Sequence, residues 1–328
     1  MSRLLADMQS ALEPAGSQAA GISQQWWFFF WILTAIFALV AVFMFVAILR
    51  RRPPGREASL DELLPPDRAG DARMSRVVIG CVIATVLILF TFLVCDILVG
   101  RKMYALSSDP NALIIKLTGH QWWWEVQYDD PHPTNVLTTA NEIHVPTGRT
   151  IKIDLRSLDV IHSFWVPNMH GKKDLIPGHP TSTWLRADRE GTFRGQCAEF
   201  CGYQHAHMRL EFVAESPEKF EAWIAAQRQT APEPASELQT RGRELFLQNQ
   251  CITCHTIQGT NARATVGPDL THIGSRKLLA AGALPNTPKD LADWISNPQN
   301  FKPGARMPAN QFAAEDLNAL VDYLESLK

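Results

Sequence analysis

Twelve residues, Cys197-Ala-Glu-Phe-Cys-Gly-Tyr-Gln-His-Ala-His-Met208, carry two thiols (Cys197, Cys201), two imidazoles (His205, His207), a thioether (Met208) and a carboxylate (Glu199). Thiolate, imidazole and thioether form the soft donor set that suits copper, whereas hard cations want more oxygen. A Cys-x3-Cys pair outside the cytosol can instead be a structural disulfide, and two cysteines with two histidines can hold zinc. A disulfide needs none of the other donors, nor the isolated upstream His162 of Asp159-Val-Ile-His-Ser163, and zinc has no use for the methionine. Copper fits the whole set best.

A second group lies downstream. Cys251-Ile-Thr-Cys254-His255 has the spacing of covalent c-type heme attachment, in which two thiols add to the vinyl groups and the adjacent histidine takes the iron. A redox dithiol or half a zinc site are the other readings of Cys-x2-Cys, but neither calls for the immediate histidine, and no second pair completes a zinc site. For the opposite face of the iron, Met307 is the only methionine after Met208, and it sits in a loop before Pro308. His272 is the other neutral donor, only 17 residues after His255. A thioether opposite imidazole raises a heme's potential, so Met307 is the expected ligand.

The pattern C-x-E-x-C-x3-H-x2-M with an upstream D-V-x-H-S resembles the dinuclear copper A site of subunit II of heme-copper oxidases. The resemblance covers residues 26–225. It implies that Cys197 and Cys201 bridge two coppers, that His162 and His205 each bind one, and that Met208 and the Glu199 carbonyl cap them. It also implies a magnesium ion shared with subunit I through the Glu199 carboxylate. His207 has no role in that scheme and reads as a solvated neighbour. From position 237 the chain resembles a small class I cytochrome c.

These sites need a scaffold and an anchor. The 328 residues suffice for two ordinary domains plus membrane segments, and a net charge of −2 argues against a nucleic-acid partner. The six cysteines fall in pairs (81/95, 197/201, 251/254), and the last two pairs have metal-site context, so they do not read as a disulfide framework. Residues 1–25 lack the basic start and apolar core of a signal peptide and are expected outside the cytoplasm. Positions 26–49 are free of charge, begin with Trp26, Trp27 and Trp31, and span about 36 Å as helix, more than the ~30 Å hydrocarbon core. Positions 77–100 form a second such block, broken only by Asp96, which reads as a tolerated residue near the outer end. Between them, seven arginines against five acids in 50–76 predict a cytoplasmic loop, with both termini outside. The resemblance also leads one to expect a glutamate near the inner end of the second helix; only Asp71, ahead of it, is present.

A copper domain is expected over 107–228, and from about Leu113 to Val213 the pattern changes to period two. Ile151, Ile153 and Leu155 alternate with Lys152 and Asp154, and Met208, Leu210 and Phe212 alternate with Arg209 and Glu211. With turn signals between the runs, this predicts an all-β sandwich on the cupredoxin plan, gathering one histidine from an early strand and the other donors from a late loop. Met208 then faces inward, where it can be core and still reach a metal. Trp122-Trp-Trp124 cannot all face one core, since neighbours on a strand point to opposite faces. The resemblance gives Trp122 a place near the copper where electrons enter; packing against the membrane or subunit I is the alternative. A Pro/Ala linker at 229–236 precedes an all-α cytochrome c domain at 237–328, opened by a Ser236/Gln239 capping box. A helix starts at Thr287-Pro288, and another places Leu317, Leu320, Val321, Leu324 and Leu327 on one face.

Together these readings predict a membrane-anchored conduit with a two-helix transmembrane hairpin. The resemblance implies subunit II of a cytochrome c oxidase with a fused cytochrome c, in a bacterial inner membrane with its copper and heme domains on the periplasmic face. Its partners are then subunit I, cytochrome c or another extracytoplasmic donor, and membrane lipid. No acid/base pair or activated nucleophile is present, so oxygen reduction belongs to subunit I. A copper-A nitric oxide reductase subunit and a free-standing shuttle or copper-delivery protein are the rivals. The quinol-oxidase version lacks both ligand sets.

Overall fold

The computed structural model describes residues 9–50 and 68–328. It forms two compact units, one of residues Gly21–Ala105 and the other of the remaining residues through Ala20 with Leu106–Lys328. The bulk of the expected loop 50–76, including Arg51, Arg52 and Arg56, lies outside the described residues, as does the start of the 1–25 segment.

The apolar blocks form helices α1 (Ser17–Leu49) and α2 (Arg68–Tyr104). Both are long and apolar enough to cross a membrane. They run past the expected spans because 17–25, 68–76 and 101–104 contain no proline to stop them. Their side chains are mostly exposed, and a helix apolar all round is suited to lipid or a deep core. Phe29 stacks on Phe92 with centroids 4.2 Å apart. Gln25 Nε2 donates to Asp96 Oδ1 at 2.9 Å, so the one acid within the second apolar block has an uncharged partner on the neighbouring helix.

The second unit starts with a β-sandwich. Its strands are β1 (Leu113–His120), β2 (Trp123–Tyr128), β3 (Leu137–Ala140), β4 (Glu142–Pro146), β5 (Ile151–Ser157), β6 (His162–Trp165), β7 (Lys173–Leu175), β8 (Thr181–Leu185), β9 (Gly191–Cys197) and β10 (Arg209–Glu215). One sheet has the order β3-β2-β1-β5-β8 and the other β4-β10-β9-β6-β7, with β1/β5 and β4/β10 parallel. Alternation does what the sequence requires: Ile151, Ile153 and Leu155 are buried while Lys152 and Asp154 are not. The core fills with Ile115, Leu117, Phe164, Phe193 and Phe212. Of most consequence for the site, β6 begins at His162, β9 ends at Cys197, and the two strands pair with Phe164 opposite Cys197. The isolated histidine and the cysteine cluster thereby share one end of one sheet. Helix α3 (Pro217–Gln227), capped by Ser216 Oγ, packs Phe220 and Ile224 onto the sandwich.

The helical portion contains α4 (Glu237–Gln248), α5 (Pro288–Ser296) and α6 (Ala314–Ser326). Ser236 Oγ accepts from Gln239 N at 3.1 Å, and the Gln239 side chain returns to Ala235 N, one residue before the position a capping box uses. Thr287 Oγ1 caps α5 in the same way. Phe246, Ile257, Leu320, Tyr323 and Leu324 make the core. Helices α4 and α6 approach so closely at Gly242 that an added Cβ would lie 2.1 Å from the Ala319 carbonyl oxygen. Gly242→Ala is therefore expected to destabilise this domain by roughly 1–3 kcal/mol, the usual cost of overpacking, seen as a lower melting temperature of the heme-domain transition in calorimetry. The expected 229–236 linker lies against its neighbours: Ala231 N donates to Gln258 O at 3.0 Å, and His272 Nε2 is 3.1 Å from the carbonyl oxygens of Gln227 and Gln229.

Candidate copper and heme sites

The end of β9, the loop that follows and the start of β6 bring the soft donors together. Cys197 Sγ lies 3.7 Å from Cys201 Sγ, 3.9 Å from His162 Nδ1 and 3.1 Å from the Glu199 carbonyl oxygen. Cys201 Sγ lies 3.7 Å from His205 Nδ1 and 3.9 Å from Met208 Sδ. Two sulfurs this close, with one imidazole and one further donor beside each, make a donor set that fits soft copper ions. His162, Cys197, Cys201 and Met208 are all buried. His207 is solvent-exposed, with Nδ1 2.8 Å from Gln204 Oε1.

The residues around the cluster fix its geometry. Asp159 Oδ1 is 2.8 Å from His162 Nε2, which leaves Nδ1 as the nitrogen that faces sulfur. Asp159 is itself held at a pKa of about 2: burial pushes it up, but the bonds from His162 and from the amides of Val160 and Gln121 outweigh that. At Gly119 a Cβ would fall 2.7 Å from the His162 ring, so this strand position must be glycine for the ring to sit where it does. The two thiols respond oppositely. The hydrogen bond from Cys201 draws the Cys197 pKa down, and that same contact, with burial, pushes the Cys201 thiol up. The pair thus keeps one proton between two sulfurs 3.7 Å apart, and removing it to give two anions requires cationic compensation, which metal ions supply. The Glu199 carboxylate turns outward and pairs with Lys172 Nζ at 3.0 Å.

In the helical portion, Cys251 lies in the turn Gln250–Thr253, Cys254 and His255 follow it, and Met307 sits in the loop before α6. All four line one cleft, with a cavity volume of about 220 Å³, walled by Phe246, Leu291, Ile295, Leu320 and Leu324. His255 Nδ1 lies 2.7 Å from the Pro268 carbonyl oxygen and so donates to it, leaving Nε2 free as an acceptor; burial lowers the imidazole's pKa and holds it neutral. A neutral ring with one nitrogen fixed by a carbonyl is the state an iron ligand needs. His272 does not line the cleft, and its Nε2 faces the carbonyls of Gln227 and Gln229. The donor set and the apolar walls therefore fit a covalently attached heme.

Trp122 joins the two regions. Its Nε1 donates to the Cys201 carbonyl oxygen at 2.9 Å, as does Gln121 Nε2, while its indole also lines the cleft. Only 8% of Trp122 is exposed, and its ring edge lies about 3.4 Å from the Cβ position of Gly304. Its packing partner is thus the loop of the same chain that carries Met307, an arrangement the sequence reading did not contain. Trp124 is fully buried in the sandwich, and Trp123 stacks on His120 with centroids 4.3 Å apart. Sequence reasoning also gave no role to Asp159 or Lys302, although both stand inside the motifs that carry the ligands.

A cupredoxin-type sandwich followed by a helical cytochrome c domain, behind two long apolar helices, defines a class of anchored electron-transfer proteins. Residues 113–215 match the family described as cytochrome c oxidase subunit II, periplasmic domain, and residues 239–328 match cytochrome c. Cytochrome c oxidase subunit 2 of Alkalihalophilus pseudofirmus is 36% identical over 97% of this chain and 91% of its own length. That of Bacillus sp. strain PS3 is 28% identical over 77% of this chain and 72% of its own length. Among solved structures, the periplasmic domain of cytochrome oxidase subunit II from Bradyrhizobium japonicum is similar at 31% identity, covering 37% of this chain and 96% of that one with a TM-score of 0.34. The chain belongs to the cytochrome c oxidase subunit II family, with a cytochrome c domain at its C-terminal end. It is accordingly a subunit of an oxidoreductase.

Proposed function

We propose that this chain is the electron-entry subunit of a heme-copper oxidase, accepting electrons from an extracytoplasmic donor and delivering them to subunit I, where oxygen is reduced to water. Cys197, Cys201, His162, His205, Met208 and the Glu199 carbonyl would hold two copper ions. Cys251, Cys254, His255 and Met307 would hold the heme, and the outward Glu199 carboxylate would reach magnesium at the subunit I boundary. When bound, the copper pair and the heme supply reversible one-electron transfer. The chain's own residues hold these centres in place. Asp159 orients His162, the Pro268 carbonyl orients His255, and the Trp122 and Gln121 side chains pin the Cys201 carbonyl. The observation that carries the reading is Trp122, which bonds the copper loop on one side and lines the heme cleft on the other.

Metal and heme quantitation with oxygen uptake on the purified complex tests the proposal. Copper A and covalent heme c in a complex that consumes oxygen are expected. Consumption of nitric oxide in place of oxygen would move the chain to a reductase. Purification without a large heme-bearing subunit would make it a shuttle or copper-delivery protein.

The same reading places both soluble domains outside the cytoplasmic membrane, because an arginine-rich connection stays inside. Protease added to intact spheroplasts should release the heme-staining fragment; its protection would reverse the orientation.

A further inference from the structure

The docking of the helical domain onto the copper domain centres on one lysine. Lys302 stands at the start of the Lys-Pro-Gly-Ala-Arg-Met307 loop and is only 3% exposed. Its Nζ donates to the carbonyl oxygens of Trp122 at 2.7 Å, His207 at 3.0 Å and Ala280 at 3.1 Å. An ammonium has three protons and no acceptor, so three carbonyls satisfy it completely. Two of them belong to the copper domain: one to the tryptophan that bonds Cys201, the other to the residue before Met208. The third belongs to the heme domain itself.

Neighbouring groups close the same seam. Gln204 Nε2 donates to Pro303 O at 2.9 Å, and Arg209 N donates to Ala281 O at 3.1 Å. Ala280 and Ala281 have φ of 51° and 57°, a left-handed conformation that a residue with a Cβ adopts only against a steric penalty. These two strained alanines are the residues whose carbonyls meet Lys302 and Arg209. Backbone strain and a buried cation thus coincide at one seam.

We propose that Lys302 is a positioning residue, a latch that holds the heme domain against the copper-ligand loop in the arrangement used for electron transfer. The inference rests on the copper and heme reading above. A buried ammonium is costly without partners, so the cage is favourable only while its three acceptors are in place. Undocking breaks the bonds to Trp122 and His207 together and hands the ammonium and both carbonyls to water, so the contact is made or lost as a unit.

The test uses the assembled oxidase with full-length chain. Lys302→Met keeps the stem and removes the charge. It should leave the heme absorption spectrum and the mixed-valence copper signal in place, while the ratio of docked to undocked chains falls about tenfold, the scale of one lost charge-assisted hydrogen bond. The readouts are weaker relaxation enhancement of the copper EPR signal by oxidised heme and slower heme-to-copper transfer after photoreduction of the heme. A Met variant with wild-type coupling and transfer rate would overturn the latch.

A measurement on the wild type stands independently of that variant's folding. Amine-selective acylation should label the exposed Lys289 at least about tenfold faster than Lys302, as a group released only by local opening requires. Equal labelling overturns the latch even where both centres are intact. Conversely, a wild-type complex without copper or heme signals would sink the functional reading, while the labelling ratio would still decide whether the seam is closed.

Discussion

Replacing Cys201 with serine is expected to empty the dinuclear copper site and leave the heme in place. One thiolate cannot bridge two ions in the way that two sulfurs 3.7 Å apart can, and a serine hydroxyl is a hard, weakly acidic substitute for a soft anion. The change does not reach the seam between domains, because Trp122 and Gln121 bond the Cys201 backbone carbonyl and not its sulfur. The heme would be attached through Cys251 and Cys254, in a cleft built on a separate core. Copper analysis should find the pair gone, the mixed-valence EPR signal should disappear, and heme staining should be unchanged. Retention of two coppers with an unaltered signal would remove the bridging assignment.

Met307→Ala should act on the other centre. Both thioether links and His255 survive, so the heme stays covalently bound. The iron loses a thioether, which favours the ferrous form, and the potential should fall by on the order of a hundred millivolts or more, within the ~0.8 V range that axial ligation spans. Any absorption band that depends on a thioether–iron bond should vanish. Turnover with an external donor should be strongly impaired, while the copper EPR signal remains. A Met307→Ala protein with unchanged potential and spectrum, beside a His272→Ala protein that lost both, would transfer the role to His272. The present geometry opposes that, since His272 lies outside the cleft with Nε2 facing two carbonyls.

Most of the candidate site was legible because its chemistry is local. Five donors within twelve residues, and Cys-x2-Cys-His in five, carry their meaning in spacing alone, and β5 declares its inward face through strict alternation. What could not be read is whatever depends on two distant segments meeting. Trp122 gave no sign that it would be covered by a loop 180 residues away, at Lys302. Lys302 itself looks like any loop lysine, and only the three carbonyls around it reveal its burial. Helix ends were missed for a different reason. Apolarity marks where lipid can be, whereas the helix runs on through polar residues until proline or a turn stops it, as at Ser17–Gln25.

The covered face of Trp122 has a consequence for kinetics. A surface that could receive a diffusing carrier is occupied by a domain on the same chain, held there through a short connection that is itself hydrogen-bonded at Ala231. On the proposed route, the step between the two centres is then first order and indifferent to dilution, as tethering at high effective concentration requires. Ionic strength and donor concentration would govern only the earlier encounter, on the outer surface of the helical domain.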